Sequence, residues 1–121
     1  MISTTIEQSK ELVRLGLDPK TADMVWMCNK WLYSIKYNIL NREQFSEQDT
    51  LAWSLSALLE VISKVTCISY LTIDTSYLIR CKDLGFLWQK DIAAKDPVTA
   101  AYEMVCWLLE QGLIKKGDSN E

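Results

Sequence analysis

The sequence predicts an α+β fold, a single two-layer domain in which three to four helices pack on a small antiparallel sheet that contains a hairpin. Apolar residues recur at helical spacing in separate segments, and two runs rich in β-branched and aromatic residues follow one another across a short connection. The chain has 121 residues, which suffices for one hydrophobic core. We therefore expect residues 1–121 to form one domain, with a mobile C-terminal tail from about residue 115.

The first helix is marked at both ends. The motif TTIE at residues 4–7 predicts a capping box, in which a threonine hydroxyl and a glutamate carboxylate each bind an unpaired backbone N–H. Gly16 supplies the left-handed residue that ends many helices, and Leu17 beyond it contacts Leu12 as in a Schellman motif. The pattern predicts a helix over residues 5–15.

A second helix is predicted to begin immediately afterwards. Asp18 is suited to the N-cap, and Pro19 to the first helical position, where its missing N–H costs nothing. The segment PKTADM, residues 19–24, predicts a short helix.

From Lys30 the apolar period changes to two, which predicts a half-buried strand. Its aromatic and β-branched positions are Trp31, Tyr33, Ile35 and Tyr37. We expect this aromatic face to point inward, with Trp31 in the core. The polar segment at residues 41–50 is predicted to be a loop.

Helical spacing returns over residues 51–65, LAWSLSALLEVISKV. The apolar face of this predicted helix consists of Leu51, Leu55, Leu58, Ile62 and Val65. Either Thr50 or Ser54 is suited to cap its N-terminus.

Residues 66–73 and 77–82 are predicted to form a β-hairpin across the connection at residues 74–76. Without glycine in that connection, the turn signal is weaker than an Asn-Gly pair would give. After the hairpin, residues 84–89 either continue the sheet past a bulge at Gly85 or run as an ordered loop.

The last helix is predicted to begin at Asp96-Pro97 and to stop at Gly112. It carries two apolar stripes. The main stripe consists of Val98, Ala101, Tyr102, Val105, Leu108 and Leu109, and the second stripe consists of Ala100, Met104 and Trp107. Soluble monomers usually avoid an exposed patch of this kind, so the second stripe must be covered.

Two explanations for this second stripe remain open. The first helix packs over it through Ile6, Val13 and Leu17, or a partner covers it. Tryptophan is enriched at the centre of protein interfaces, and both Trp53 and Trp107 fall opposite the main apolar stripe of their own predicted helices. The candidate interaction surface is therefore Trp53, Ala100, Met104 and Trp107.

Charge and hydropathy argue against several classes of partner. The net charge of −3 arises from 16 acids scattered among 13 bases, so clustered cations for nucleic-acid phosphates are missing. Stacking of bases on an outer sheet face with Tyr70, Tyr77 and Arg80 is a weaker alternative. No apolar run reaches about eighteen residues and no secretory signal pattern begins the chain, so we expect a cytoplasmic protein without a membrane partner.

Enzymatic chemistry has little support in the sequence. The chain has no histidine, so a general acid or base would have to be a carboxylate, lysine or cysteine with a displaced pKa. Glu103 and Glu110 lie two turns apart on the last helix, as solvated acids often do, and Cys28 has no activating base nearby in sequence. No glycine belongs to a phosphate-binding motif, and no cofactor is expected.

The four cysteines are widely spaced and include no C-x-x-C pair, which argues against a metal site. Such cysteines are most often reduced and buried in cytosolic proteins. If a disulfide does form, Cys67 with Cys81 is the first pair to test.

Three blocks carry a family resemblance. The blocks are ELVRLGLDPKTADMVW, LAWSLSALLEVI and DPVTAAYEMVCWLLEQGLI, which cover roughly half of the chain. Together they resemble a group of small proteins from Bacteroides-type gut bacteria and their phages or other mobile elements, a group with no assigned activity. The resemblance implies a bacterial or phage origin and a cytoplasmic location, and it transfers no catalytic or binding residue.

The function that we expect is that of a small non-enzymatic binding or structural protein of a bacterial mobile element or phage. It would act by contact with a protein partner or with itself as a homo-oligomer. The alternatives are an enzyme or enzyme subunit that uses carboxylates in a pocket, and, more weakly, a nucleic-acid-binding module.

Overall fold

The computed structural model describes residues 2–34, 48–85 and 87–115, and its architecture is α+β, as predicted. The helices of the described residues are α1 (Ile6–Leu15), α2 (Leu55–Ser63) and α3 (Pro97–Glu110), with a short 3-10 helix at Pro19–Thr21. The strands are β1 (Met24–Met27), β2 (Trp31–Ser34), β3 (Thr50–Ala52), β4 (Thr66–Ile73), β5 (Ser76–Asp83) and β6 (Gln89–Ala94).

The described strands form two antiparallel sheets instead of the one expected. The first sheet has the order β2-β1-β3, and the second has the order β4-β5-β6. Of the first sheet, the alternating pattern in the sequence predicted only β2. Predictions for residues 35–37 and 41–47, and for the tail beyond residue 115, lie outside the described residues.

The capping box of α1 begins one residue later than predicted. Thr5 is the N-cap: its hydroxyl accepts from the Gln8 N–H at 3.0 Å, and its own N–H donates to the Gln8 side chain at 3.0 Å. Thr4 is instead fully buried and holds the backbone beside Trp53. The motif therefore supplies a cap and a core contact from adjacent threonines.

The end of α1 is as predicted, whereas the helix predicted over residues 19–24 is only a 3-10 helix at Pro19–Thr21, and Met24 already lies in β1. Gly16 has a φ of 96°, in the left-handed region, and the Leu17 N–H donates to the Leu12 carbonyl at 3.0 Å, as in a Schellman motif. The Asp18 side chain then caps the 3-10 helix by accepting from the Lys20 N–H at 3.0 Å. These two local motifs lead the chain from the end of α1 to the start of β1.

In β2 the two faces are reversed relative to the prediction. Trp31 is 62% exposed and Tyr33 is 49% exposed, while the alternate positions are half-buried. The prediction that Trp31 fills the core is therefore wrong. A period of two separates the faces of a strand but does not say which face is buried.

Helix α2 begins four residues later than the periodicity indicated. Leu51 lies in β3, and Ser54 is the N-cap, with its hydroxyl accepting from the Ala57 N–H at 3.2 Å. The Asp23 carboxylate accepts from the Ser54 N–H at 2.8 Å and also from the Ser54 hydroxyl. Of the two suggested caps, Ser54 is correct, and Asp23 ties it to the start of β1.

The predicted hairpin is confirmed. β4 pairs antiparallel with β5, from Thr66 opposite Asp83 to Ile73 opposite Ser76. The turn has two central residues instead of three, and Asp74 adopts a φ of 53°, a conformation that aspartate tolerates better than most residues. The chain turns again after β5 and returns as β6, so the segment after Asp83 leads into a third strand.

Helix α3 starts at the predicted cap, where the Asp96 side chain accepts from the Thr99 N–H at 2.8 Å, and it gives way to Gly112 with a φ of 73°. It contacts α1, α2, β5 and β6. The buried members of its two stripes are Val98, Ala100, Ala101, Met104, Val105, Leu108 and Leu109. This central position explains why α3 is apolar on two sides.

Candidate protein-contact surface

Three of the four predicted interaction residues are in the core. Trp53, Ala100 and Met104 are each 0% exposed, so no partner can reach them on the folded chain. The fourth residue, Trp107, is half-buried. The predicted surface is therefore corrected, because three of its four residues pack inside the chain.

Trp53 was misplaced because it precedes α2 instead of lying on it. Its indole N–H donates to the Thr21 hydroxyl at 2.8 Å, and its backbone N–H donates to the Thr4 hydroxyl at 3.1 Å. The Thr4 N–H in turn donates to the Trp53 carbonyl at 2.9 Å. Trp53 thus joins the N-terminal segment, the 3-10 helix and the entrance to α2.

Trp107 is covered from the side of the second sheet. Its ring meets the Trp88 ring edge-on, with centroids 5.5 Å apart and an interplanar angle of 62°. The Lys90 ammonium lies 5.3 Å from the centroid of the Trp107 ring, within cation–π range. Val13, predicted to pack over this stripe from α1, is 49% exposed. Residues in and next to β6 therefore cover Trp107.

Helix α1 lies beside a different face of α3. The negative charge of Glu11 on α1 contributes to raising the pKa of Tyr102 and of Cys106 on α3, and the charge of Glu110 on α3 contributes to raising the pKa of Arg14 on α1. Burial raises the pKa of the Cys106 thiol to about 11, and burial likewise raises the pKa of Tyr102. Helices α1 and α3 contact each other, and Tyr102 and Cys106 are half-buried on α3.

The cysteines are free thiols in the structure. Cys81 pairs with Ile68 across the hairpin and Cys67 pairs with Lys82, so the two sulfurs project from opposite faces of the sheet. Cys81 is buried, and burial raises its pKa, whereas Cys67 is exposed. Opposite faces prevent the Cys67–Cys81 bridge without a change of register.

Candidates for chemistry are not brought together within the described residues. Glu103 and Glu110 are exposed on α3, and no group of three or more potential metal ligands occurs in the part of the chain that the structure describes. Cys28 is exposed in a turn with a φ of 51°, and its N–H donates to the Asp49 carboxylate at 2.5 Å. That contact holds the turn between β1 and β2.

Strand β4 forms one edge of the second sheet among the described residues. Its sequence, TCISYLTI, contains no charge, no proline and no glycine. Natural proteins usually protect sheet edges with charges, proline or bulges, because the free backbone groups there invite another strand. The opposite edge, β6, carries Lys90 and Asp91. The uncharged edge at β4 is therefore better suited to pairing with an added strand than the charged edge at β6.

A groove of about 420 Å³ lies between α2 and β4. Its lining consists of Ser56, Leu59, Glu60, Ser63, Ile68 and Tyr70. The helical members recur at intervals of three and four residues, so they form one face of α2. Tyr70 is 40% exposed at this groove and stacks on Tyr77, with centroids 6.1 Å apart. The groove gives an added strand a surface to pack on.

The alternative of base stacking on the outer face is contradicted by the register. Tyr70 is opposite Ile79 and Arg80 is opposite Ser69, so Tyr70 and Arg80 project from opposite faces of the sheet. Arg80 is also bound by the Asp91 carboxylate, with the Nε to Oδ1 distance at 2.9 Å. The two tyrosines and the arginine do not form a common surface.

Comparison with known proteins gives no relative for this surface. No protein-family model, curated protein or solved structure matches the chain. Among the described residues, no helix is both long and apolar enough to cross a membrane. The assignment of a function therefore rests on the geometry of β4 and its groove. In the sequence, the signal for this site was the uncharged run at residues 66–73.

Proposed function

We propose that this chain is a small non-enzymatic binding protein that works by protein–protein contact, and that β4 and the groove beside it are the contact surface. The observation that carries the proposal is an eight-residue strand without charge at a sheet edge. Strand addition supplies affinity through main-chain hydrogen bonds, and pockets beside the strand supply specificity.

Side-chain exposure supports the same surface. Tyr70 is 40% exposed and Leu71 is 45% exposed, on opposite faces of the strand. An added strand would cover both without any change in the rest of the fold. Beside them, Leu59 offers apolar surface in the groove while Ser56 and Glu60 offer polar partners, a composition that suits a partner with mixed side chains.

The cellular setting is part of the proposal. The three resembling blocks support an origin in Bacteroides-type bacteria or their phages and mobile elements. Four free cysteines support a reducing compartment such as the cytoplasm. The contacts of α3 with α1, α2, β5 and β6 support one two-layer domain built around that helix.

The test is photo-crosslinking in native host cells. A benzophenone amino acid replaces Tyr70 at the groove or, as a matched control, the exposed Ala93 on β6 at the other edge of the sheet. We expect a discrete crosslinked species from position 70 and none from position 93. Equal yields from both positions, or no product from position 70, would refute contact at β4.

A further inference from the structure

The backbone of β4 directs alternate residues away from β5, toward the edge at which the described residues place no further strand. Ile73 and Ser76 pair next to a two-residue turn, so they exchange both of their hydrogen bonds. Hydrogen-bonded pairs then recur at every second residue, and residues 67, 69 and 71 direct their backbone groups toward β5. Residues 68, 70 and 72 direct theirs outward.

The strand is complementary to itself when it is read in the opposite direction. Centred on Tyr70, an antiparallel copy places Ile68 opposite Thr72 and Ser69 opposite Leu71. Tyr70 lies opposite Tyr70 on the axis; in the pairs beside it a larger side chain meets a smaller one, and none of these residues is charged. A two-fold axis through Tyr70 repeats these contacts on both sides, as an isologous interface requires.

We infer that the occupant of this edge is a second copy of the same chain, joined strand β4 to strand β4 into a continuous six-stranded antiparallel sheet. The inference rests on the proposed function and names its partner. The outward N–H and C=O groups of residues 68, 70 and 72 pair with those of residues 72, 70 and 68 of the second copy. Two such edges satisfy one another's backbone groups without a further protein.

The groove extends the contact beyond the strand. Stable interfaces bury at least about 1,000 Å² in total, more than a narrow strand edge alone supplies. Tyr70 projects on the groove side, so the Tyr70 rings of the two copies meet there and extend the Tyr70–Tyr77 stack across the axis. Leu59 of each copy lies along the same groove and adds apolar contact.

Sedimentation velocity over a range of protein concentrations tests the dimer. We expect wild-type protein to sediment as a dimer that dissociates on dilution. Tyr70→Lys places two ammonium groups on the axis, and we expect it to weaken the dimer at least tenfold. Ala93→Lys adds the same charge at an exposed position of β6, and this control should dimerise like wild type. Far-UV circular dichroism checks that each variant is folded.

Disulfide crosslinking between engineered cysteines is a second test of the dimer, and it does not depend on a destabilising charge. In a background with Cys28→Ser and Cys67→Ser, which removes the exposed thiols, Tyr70→Cys should form a disulfide-linked dimer under mild oxidation. Directly opposite residues in antiparallel strands have Cα atoms about 5.5 Å apart, within disulfide range. Leu71→Cys, opposite a serine of the second copy, should crosslink far less.

The outcomes separate this inference from the function on which it rests. A strictly monomeric wild type whose position-70 crosslinks contain another protein overturns the inference and leaves contact at β4 standing. A monomer with no position-70 crosslink overturns both. A dimer that is equally sensitive to Tyr70→Lys and Ala93→Lys, or that traps equally through positions 70 and 71, contradicts the proposed interface.

Discussion

Replacing Trp53 by alanine should destabilise the protein strongly, although the sequence marked this residue as a surface contact. Trp53 is 0% exposed, and its indole N–H donates to the Thr21 hydroxyl. Large-to-alanine changes of buried aromatic residues cost about 3–5 kcal/mol, because transfer free energy is lost and a cavity remains. Thr21 is only half-buried, so a water molecule can donate to its hydroxyl in place of the indole N–H. The lost hydrogen bond therefore adds little to this cost.

Trp31→Ala is the matched control, because it removes the same side chain where it is 62% exposed. Surface substitutions of this kind usually change the free energy of unfolding by less than about 0.5 kcal/mol. At about 4 °C per kcal/mol for a chain of this size, Trp53→Ala should lower the Tm by about 12–20 °C and Trp31→Ala by about 2 °C or less.

Urea and thermal unfolding, followed by far-UV circular dichroism at one fixed protein concentration, measure both variants without relying on tryptophan fluorescence. The fixed concentration matters because self-association would add its own stabilisation. Losses below about 1 kcal/mol for both variants would refute the assignment of Trp53 to the core. The same result would return Trp53 to the candidate surface residues.

Two further predictions concern the caps and the thiols. Thr5→Ala should lower the free energy of unfolding by about 1 kcal/mol, as loss of an N-cap does, whereas Glu7→Ala should be nearly neutral. Urea unfolding measures both variants. A larger loss for Glu7→Ala than for Thr5→Ala would place the capping box at residue 4. Mass spectrometry after brief alkylation at pH 8 should find Cys67 modified and Cys106 protected, with Cys106 reacting faster as the pH rises toward its pKa of about 11. Equal rates for the two thiols in folded protein would contradict the packing of α1 against α3.

Local signals predicted the β4–β5 hairpin of the second sheet, but not β6, and only one strand of the first sheet. The β4–β5 hairpin pairs residues close in sequence, so its strand propensities and its turn are visible together. β1 and β3 are only four and three residues long and pair across the intervening chain. Such short strands are stabilised by tertiary contacts that single-sequence propensity does not record. The period at Trp31 revealed a strand but not its buried face.

The candidate site was visible only in part. The absence of charge in residues 66–73 can be read from the sequence, but the position of that strand at an edge depends on the strand order of the folded sheet. The two stripes of α3 were also correctly identified as needing cover. What covers Trp107 could not be derived, because the contacts with Trp88 and Lys90 arise from the return of β6 toward the helix.

The buried link between Thr4 and Trp53 has a consequence for the order of folding. These residues are 49 positions apart, whereas the Arg80–Asp91 pair of the second sheet is 11 positions apart. Loop closure over the longer distance costs about 1.3 kcal/mol more in chain entropy. Contacts with short sequence separation form faster. The second sheet can therefore serve as the early template, and the N-terminal segment fastens onto Trp53 late.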